Sequence, residues 1–323
     1  MTAVKRALVL IGFAFAIASP AAANDFPTRP VTMVVPFAPG GSSDQAARPL
    51  ANALSRIWGQ PVVIVNKPGA GSGVGMAATA EARPDGYTIV LTNPGFTLLP
   101  ATDALFDRKP LFSADQFVPL ARVAAEPTLL VVTSSAPWNT LQEFVAEAKK
   151  RPSELSYGSS GTYGAGHVPV EMVAHAADIK LNHVAYTGGG PALTATLGNE
   201  VNIMASAPTV FAGMIKGGQL RPLAVTGSSR LPLLPEVPTA IELGYDVEFY
   251  IWAGLFAPSK VTPDVVKLLR EGIAKAVQDP EYRKNMDNLG LPVAYLDGPE
   301  FAKYLASESE DLKAAINQIG KVE

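Results

Sequence analysis

The sequence contains no cysteine and only three histidines in 323 residues. Without a thiol there is no disulfide, no thiolate metal site and no lipid-modified cysteine. His167, His175 and His183 recur eight residues apart, which turns each by roughly 80° on a helix and fits no zinc-ligand spacing. They are expected as one loop, one helix-surface and one strand residue. Charged residues make up 17% of the chain, the formal charge is -3, and Lys and Arg do not cluster, so nucleic acid finds no electrostatic footprint. Beyond residue 18, Pro, Gly or charge interrupts every apolar stretch before the roughly 20 residues that span a bilayer. No stable membrane insertion is expected.

The first residues carry what those absences leave room for. Lys5 and Arg6 precede an apolar run from Ala7 to Ala18, then Ser19-Pro20 and Ala21-Ala22-Ala23. Charge, a short apolar run and a small-residue site, in that order, read as a secretory signal over residues 1–23 rather than a buried helix. Its removal takes two basic and no acidic residues and moves the formal charge from -3 to -5. The mature chain is expected outside the cytoplasm, long enough for two cores.

Apolar runs of strand length then alternate with helical spacing. Strands are expected over 31–35, 62–65 and 87–92, and helices over 44–58 and 75–82, the first with Ala47, Leu50, Ala51, Leu54 and Ile57 on one face. This βαβαβ order predicts a parallel sheet flanked by helices, with ligands beyond the carboxyl ends of the strands. A second α/β unit follows, with strands over 128–133, 155–157, 181–186, 201–205 and 220–225, and helices over 140–149, 166–176, 192–197 and 211–216. Helices over 263–277, 280–288 and 299–319 close the chain. Crossings near Ala125 and Tyr245 predict two lobes, residues 24–124 plus 246–323 and residues 125–245, joined as a hinged clamp.

Each unit contains a similar turn. Val34-Val35-Pro36-Phe37-Ala38-Pro39-Gly40-Gly41-Ser42 is echoed by His183-Val184-Ala185-Tyr186-Thr187-Gly188-Gly189-Gly190-Pro191. Adjacent glycines let backbone approach a ligand, and the helix that follows offers unpaired N–H groups and partial positive charge. Facing one another, two such turns could grip an anion without a cationic side chain, although a plain strand-to-helix turn has the same composition. Ser42 and Gln45 form a capping-box pattern that would use some of these donors. Asp44, at the second helical position, is expected to support the helix or position a water. In the loop from Ser156 to His167, Ser159, Ser160 and Thr162 add hydroxyl donors.

Competing chemistries fit less well. Gly69-Ala70-Gly71-Ser72-Gly73-Val74-Gly75 misses the G-x-G-x-x-G fingerprint, and no phosphate-loop Gly-Lys-Ser/Thr exists. Gly158-Ser159-Ser160-Gly161-Thr162 misses the G-x-S-x-G nucleophile turn. A secreted hydrolase using Ser159 or Ser160 with His167 has no acid partner that can be named. Trp252, near the second crossing, fits either a cover over a ligand or core packing.

Taken together, TRPV at 28–31, PFAPGGSSD at 36–44, NKPGAG at 66–71, PDGYT at 84–88, YGSSG at 157–161, YTGGGPAL at 186–193, LAVT at 223–226 and LPEVPT at 234–239 resemble the Bug-type periplasmic solute receptors of tripartite tricarboxylate transporters. The resemblance runs in order from about residue 26 to the C-terminus. It implies an α/β Venus-flytrap fold, two lobes each built on a mostly parallel sheet, and a small organic carboxylate held in the interlobe cleft and delivered to a membrane permease. It implies no cofactor, no metal and no catalysis, a monomer, and residence in the periplasm. By the same resemblance the carboxylate is held by backbone groups and ordered waters at Phe37, Ala38, Pro39, Gly40, Gly41 and Ser42, at Ser159, Ser160 and Thr162, and at Tyr186, Thr187, Gly188, Gly189 and Gly190. Asp44, Asn93, Tyr163, His167, Ser206 and Trp252 complete the expected ligand-binding set, Tyr163 narrowing the pocket or stacking on an aromatic ligand. The sequence departs from the family at the serine loop and at Asn199-Glu200-Val201-Asn202, so no particular ligand is carried over. A sensor that docks on a signalling partner instead of a permease would read the same.

Overall fold

The computed structural model describes residues 26–321; the secretory signal expected over residues 1–23 lies outside them. β1 (Val31–Val35) is buried almost throughout, as a strand covered on both faces must be. It leads into α1 (Ser42–Trp58), whose Ala47, Leu50 and Leu54 are wholly buried. β2 (Val62–Asn66), α2 (Gly73–Ala80) and β3 (Thr88–Thr92) follow, and β1 pairs in parallel with both β2 and β3. Two elements that the sequence did not announce come next, α3 (Gly95–Leu105) and β4 (Phe117–Pro127). Pro100 interrupts the helical pattern and Pro119 the strand pattern. Pro119 is tolerated because it lies at a register irregularity against the neighbouring strand.

At Thr128 the chain leaves this sheet for a second one. β5 (Leu129–Thr133), α4 (Leu141–Lys150), β6 (Ser156–Ser159), α5 (Val168–Ala176), β7 (Asn182–Ala185), α6 (Gly189–Leu197), β8 (Ile203–Ser206), α7 (Pro208–Lys216) and β9 (Leu220–Val225) build it. The chain then returns through β10 (Tyr250–Pro258), α8 (Pro263–Ala276), α9 (Pro280–Leu289), β11 (Val293–Asp297) and α10 (Gly298–Ile319). The aromatic stretch from Tyr250 to Phe256 is thus itself a strand, and β11 is a further element without a clear sequence signal.

The strand orders are β11-β4-β10-β3-β1-β2 and β7-β6-β8-β5-β9. Four of six strands in the first sheet and four of five in the second run the same way, but both sheets are mixed. β10 and β11 are reversed in the first, and β5 in the second. β10 enters between β3 and β4 because a chain returning from the other lobe meets the strand it left by in the opposite sense. Both passages are tied at one place: Thr226 Oγ1 donates to the Phe249 carbonyl at 2.8 Å, and the Thr226 N–H donates to the Thr128 carbonyl at 2.8 Å. No helix among the described residues is long and apolar enough to cross a membrane.

α10 packs on both halves. Phe301 and Leu305 join the cluster of Phe96, Trp252 and Phe256, whereas Leu312 and Ile316 join Leu129, Val131 and Met204 of the second sheet and Val168 of α5. Midway, Glu308 accepts hydrogen bonds from Trp252 Nε1 (2.6 Å), Tyr304 Oη (3.0 Å) and Thr97 Oγ1 (3.2 Å). Trp252 is therefore a core residue, 1% exposed, and a role for its indole as a cover over ligand is corrected: the ring is wedged against Phe301 and its one donor is spent on Glu308.

Burial pushes Glu308 up to about 7, against the three bonds it accepts and the charge of Arg122. A carboxyl raised in this way adds stability in full below its ordinary value of 4.5 and loses it as pH rises through about 7. Between pH 5 and 8 the wild type should lose on the order of 2 kcal/mol more stability than Glu308→Gln in denaturant titrations; parallel pH profiles would refute this.

Candidate functional site

The loops singled out in the sequence all leave the carboxyl ends of strands. Residues 36–41 follow β1, Asn93 follows β3, residues 160–167 follow β6, residues 186–188 follow β7, and Ser206 ends β8. Their glycines bring the two halves into contact. A Cβ placed on Gly190 would lie 2.6 Å from the Pro39 carbonyl oxygen, and one on Gly188 would lie 3.0 Å from the Ala38 nitrogen. Gly40, at φ +85°, turns the first loop towards this meeting. A second contact joins the serine loop to the segment 69–75, where a Cβ on Gly161 would lie 3.0 Å from Gly71 Cα. Segment 69–75, which fails as a dinucleotide fingerprint, thus supplies backbone for the opposite lobe to rest on. Its glycines at every second place were the available signal.

Beside these contacts lies a small, nearly closed cavity, with about 10 Å³ open to the centre of a water-sized sphere. Phe37, Gly41, Ser42, Asn93, Ser160, Gly189 and Ser206, all expected from sequence, line it together with Ser43, Ala165, Gly166 and Ile251, which were not. Of these, Gly41, Ser42, Ser43, Asn93, Ala165, Gly166, Gly189 and Ser206 lie within three positions of the first residues of α1, α3, α5, α6 and α7, so the partial positive ends of five helices border one space. None of the lining side chains is charged. Asn93 Oδ1 accepts from the Gly95 N–H at 2.9 Å, which leaves its amide hydrogens for other acceptors. Ala38, Pro39, Gly40, Gly188 and Gly190 shape the seam between the loops instead. Thr162 and Thr187 are exposed, and Tyr186 is half-buried, its ring over Gly158.

α1 begins without the expected capping box. Gly41 is its N-cap, with no side-chain cap, and Gln45 Nε2 donates to the Gly40 carbonyl instead. The Ser42 hydroxyl is therefore not used as a cap and stands in the cavity wall. Asp44 turns away from the cavity, under the loop. It accepts from the Gly40 N–H (3.0 Å), Arg48 Nε and Nη2 (2.9 Å each) and Asn66 Nδ2 (3.1 Å), and Asn66 also donates to the Phe37 carbonyl at 3.0 Å. Asp44 thus braces the turn rather than contacting a ligand.

The serine loop has a buried foundation. Ser159 is 0% exposed, with Oγ 2.7 Å from His183 Nε2 and donating to the Gly161 carbonyl at 3.0 Å. His167 is also 0% exposed, packed 4.1 Å from the His183 ring and 4.9 Å from that of Tyr163. Neither of its ring nitrogens has a hydrogen-bond partner. Burial depresses His167 to about 2 and His183 to about 4, so both are neutral at pH 7. The Tyr163 hydroxyl donates to the Gly320 carbonyl at 2.9 Å, tying the loop to the end of α10. Ser159, Tyr163 and His167 thus lie beneath the cavity wall, and their expected contacts with a ligand are corrected to support of the loop. Ser159, with no exposed surface, gives a substrate no access, whereas Ser160 stands in the cavity wall.

Burial would push the Asp44 carboxyl up, but the bonds from Arg48, Gly40 and Asn66 and the charge of Arg48 hold it below its ordinary value of 3.8. Its contribution is present in full above that value and disappears as pH falls through the lowered one. Asp44→Asn should cost about 1–2 kcal/mol at pH 7, with the gap to wild type closing below pH 3.8. A gap unchanged down to pH 2 would show that the charge plays no part.

Residues 46–321 match the family model described as the tripartite tricarboxylate transporter family receptor. Protein BugT of Bordetella pertussis is 34% identical over 284 residues, covering 84% of this chain and 85% of BugT. The structure of the periplasmic binding protein BugD superposes with a TM-score of 0.85 at 31% identity, covering 91% of this chain and 99% of BugD. The R. palustris protein Rpa4515, solved with adipate, gives a TM-score of 0.86 at 29% identity over 92% of this chain and 99% of its own. The chain belongs to the tripartite tricarboxylate transporter receptor family, with the two-lobed fold of a periplasmic binding protein, and is a solute-binding receptor rather than an enzyme.

Proposed function

We propose that this receptor is secreted to the periplasm, closes two lobes on a small organic carboxylate, and delivers it to the membrane permease of a tripartite tricarboxylate transporter. The observation that carries this reading is the convergence of five helix N-termini and several hydroxyls on a cavity whose wall has no charged side chain. Preorganised N–H and O–H donors suit a carboxylate oxygen, and closure strengthens them by excluding water. Adipate in the Rpa4515 structure and the signal-like residues 1–23 support the ligand class and the compartment. One lobe holds the first sheet, up to the end of β4 at Pro127 and again from β10 at Tyr250, and the other holds the second sheet between them, with the end of α10 riding on it.

A thermal-shift screen of the secreted protein against mono-, di- and tricarboxylates tests the reading. A true ligand at 100 times its Kd should add about 2.7 kcal/mol of stability and be recovered chemically unchanged. Absence of any carboxylate hit, or consumption of one, would reject it.

Gly190 tests closure separately. It is the second residue of α6, where alanine favours the helix, but the added Cβ would lie 2.6 Å from the Pro39 carbonyl oxygen across the seam. Gly190→Ala should weaken binding about tenfold or more, which is 1.4 kcal/mol or above, measured by calorimetry. Unchanged affinity would mean that the seam does not close on ligand.

A further inference from the structure

A second small cavity, with about 10 Å³ open to the centre of a water-sized sphere, adjoins the first and shares Ser42, Ser43 and Ile251 with it, so a ligand reaches it only as the cleft opens to admit one. Most of its remaining wall is apolar. One exception is the Trp252 indole, whose donor is engaged by Glu308; the other is Glu126. Glu126 stands next to last on β4, directly opposite Ile251 of β10. Cross-strand partners point to the same side of a sheet, so both side chains face this space. Glu126 is 1% exposed. It accepts from Thr209 Oγ1 at 2.8 Å and, more weakly, from the Thr209 N–H at 3.4 Å.

Three features define what this end of the cleft lacks. No Lys, Arg or His lines either cavity. Ser43, 3% exposed, borders both cavities, and its buried hydroxyl has no hydrogen-bond partner. Both bonds at Glu126 are accepted ones from the first turn of α7, the helix end that favours a negative charge. A carboxylate oriented by donors and buried without a cation is costly, and burial accordingly pushes Glu126 up to about 8. A ligand bringing a cationic nitrogen would supply the missing partner. One bringing a second carboxylate would gain no ion pair there and would be tolerated only by holding a proton between two buried carboxyls.

We propose that Glu126 is a specificity-determining residue that selects, at the far end of the cleft, a carboxylate that also carries an ammonium group, held between Glu126 and the Ser43 hydroxyl. This rests on the reading of the chain as a carboxylate receptor. The first cavity grips the carboxylate with neutral donors, and the second neutralises the ammonium, so a zwitterionic amino carboxylate matches both ends.

Calorimetric titration with ligands matched in length tests it: 3-aminopropanoate, succinate and butanoate; 4-aminobutanoate, glutarate and pentanoate; and 5-aminopentanoate, adipate and hexanoate. At one length or more the amino carboxylate should bind at least thirtyfold tighter than the matched dicarboxylate, and Glu126→Gln should abolish that preference while raising affinity for the dicarboxylate. Preference for dicarboxylates or plain monocarboxylates at every length would overturn the role of Glu126 and leave the receptor reading standing. So would an amino-carboxylate preference that survives in Glu126→Gln. Failure of all three classes, in a protein that folds, would reject the carboxylate-receptor reading itself. The wild-type comparison needs no variant, so poor folding of Glu126→Gln leaves the test decisive.

Discussion

Everything around the cleft depends on one constraint: backbone N–H groups at helix starts can serve as a binding surface only if nothing bulkier than hydrogen stands in front of them. Gly41 and Gly189, in the loops after β1 and β7, leave the cavity side open, while Gly188 and Gly190 let the two loops meet, a Cβ on Gly190 lying 2.6 Å from the Pro39 carbonyl oxygen. The same constraint explains the absence of cationic side chains from the cavity wall. With five helix ends converging, the field comes from the backbone, and it stays in place because each helix is anchored in a sheet.

Such a surface has to be stiff, since its donors gain strength only when they need not reorganise. The stiffness comes from below. Asp44 ties the Gly40 N–H to Arg48 and Asn66, and the packed rings of Tyr157, His167 and His183 support the serine loop from beneath. Tyr163 fastens that loop to α10, a helix that itself packs on both sheets. The two passages between the sheets, at Thr128 and at Phe249, are held side by side by the hydrogen bonds of Thr226.

Much of this was legible in the sequence where the cause is local. The run of β1, the spacing of α1 and the Gly-Gly turns each follow from neighbours a few positions apart, and so the loops that line the cavity could be named. Elements whose cause is distant were not legible. β4 contains Pro119 and β11 has no strong alternation, yet both are strands because partners far along the chain complete their ladders. Trp252, Tyr163 and His167 were expected at the ligand by residue type and position, but the groups that claim them, Glu308, Gly320 and His183, lie 16 to 157 residues away.

By itself the sequence determined which turns expose backbone, that no thiol or cationic cluster takes part, and that the helices begin where the strands end. Those properties reside in φ preferences, composition and short-range periodicity. Only the tertiary structure decided that the two Gly-Gly turns meet, that segment 69–75 supports the serine loop, and that Glu126 and Ser43 share a buried space at the far end of the cleft. Those facts depend on how two separately built sheets dock, and docking is set by the summed packing of side chains remote in sequence.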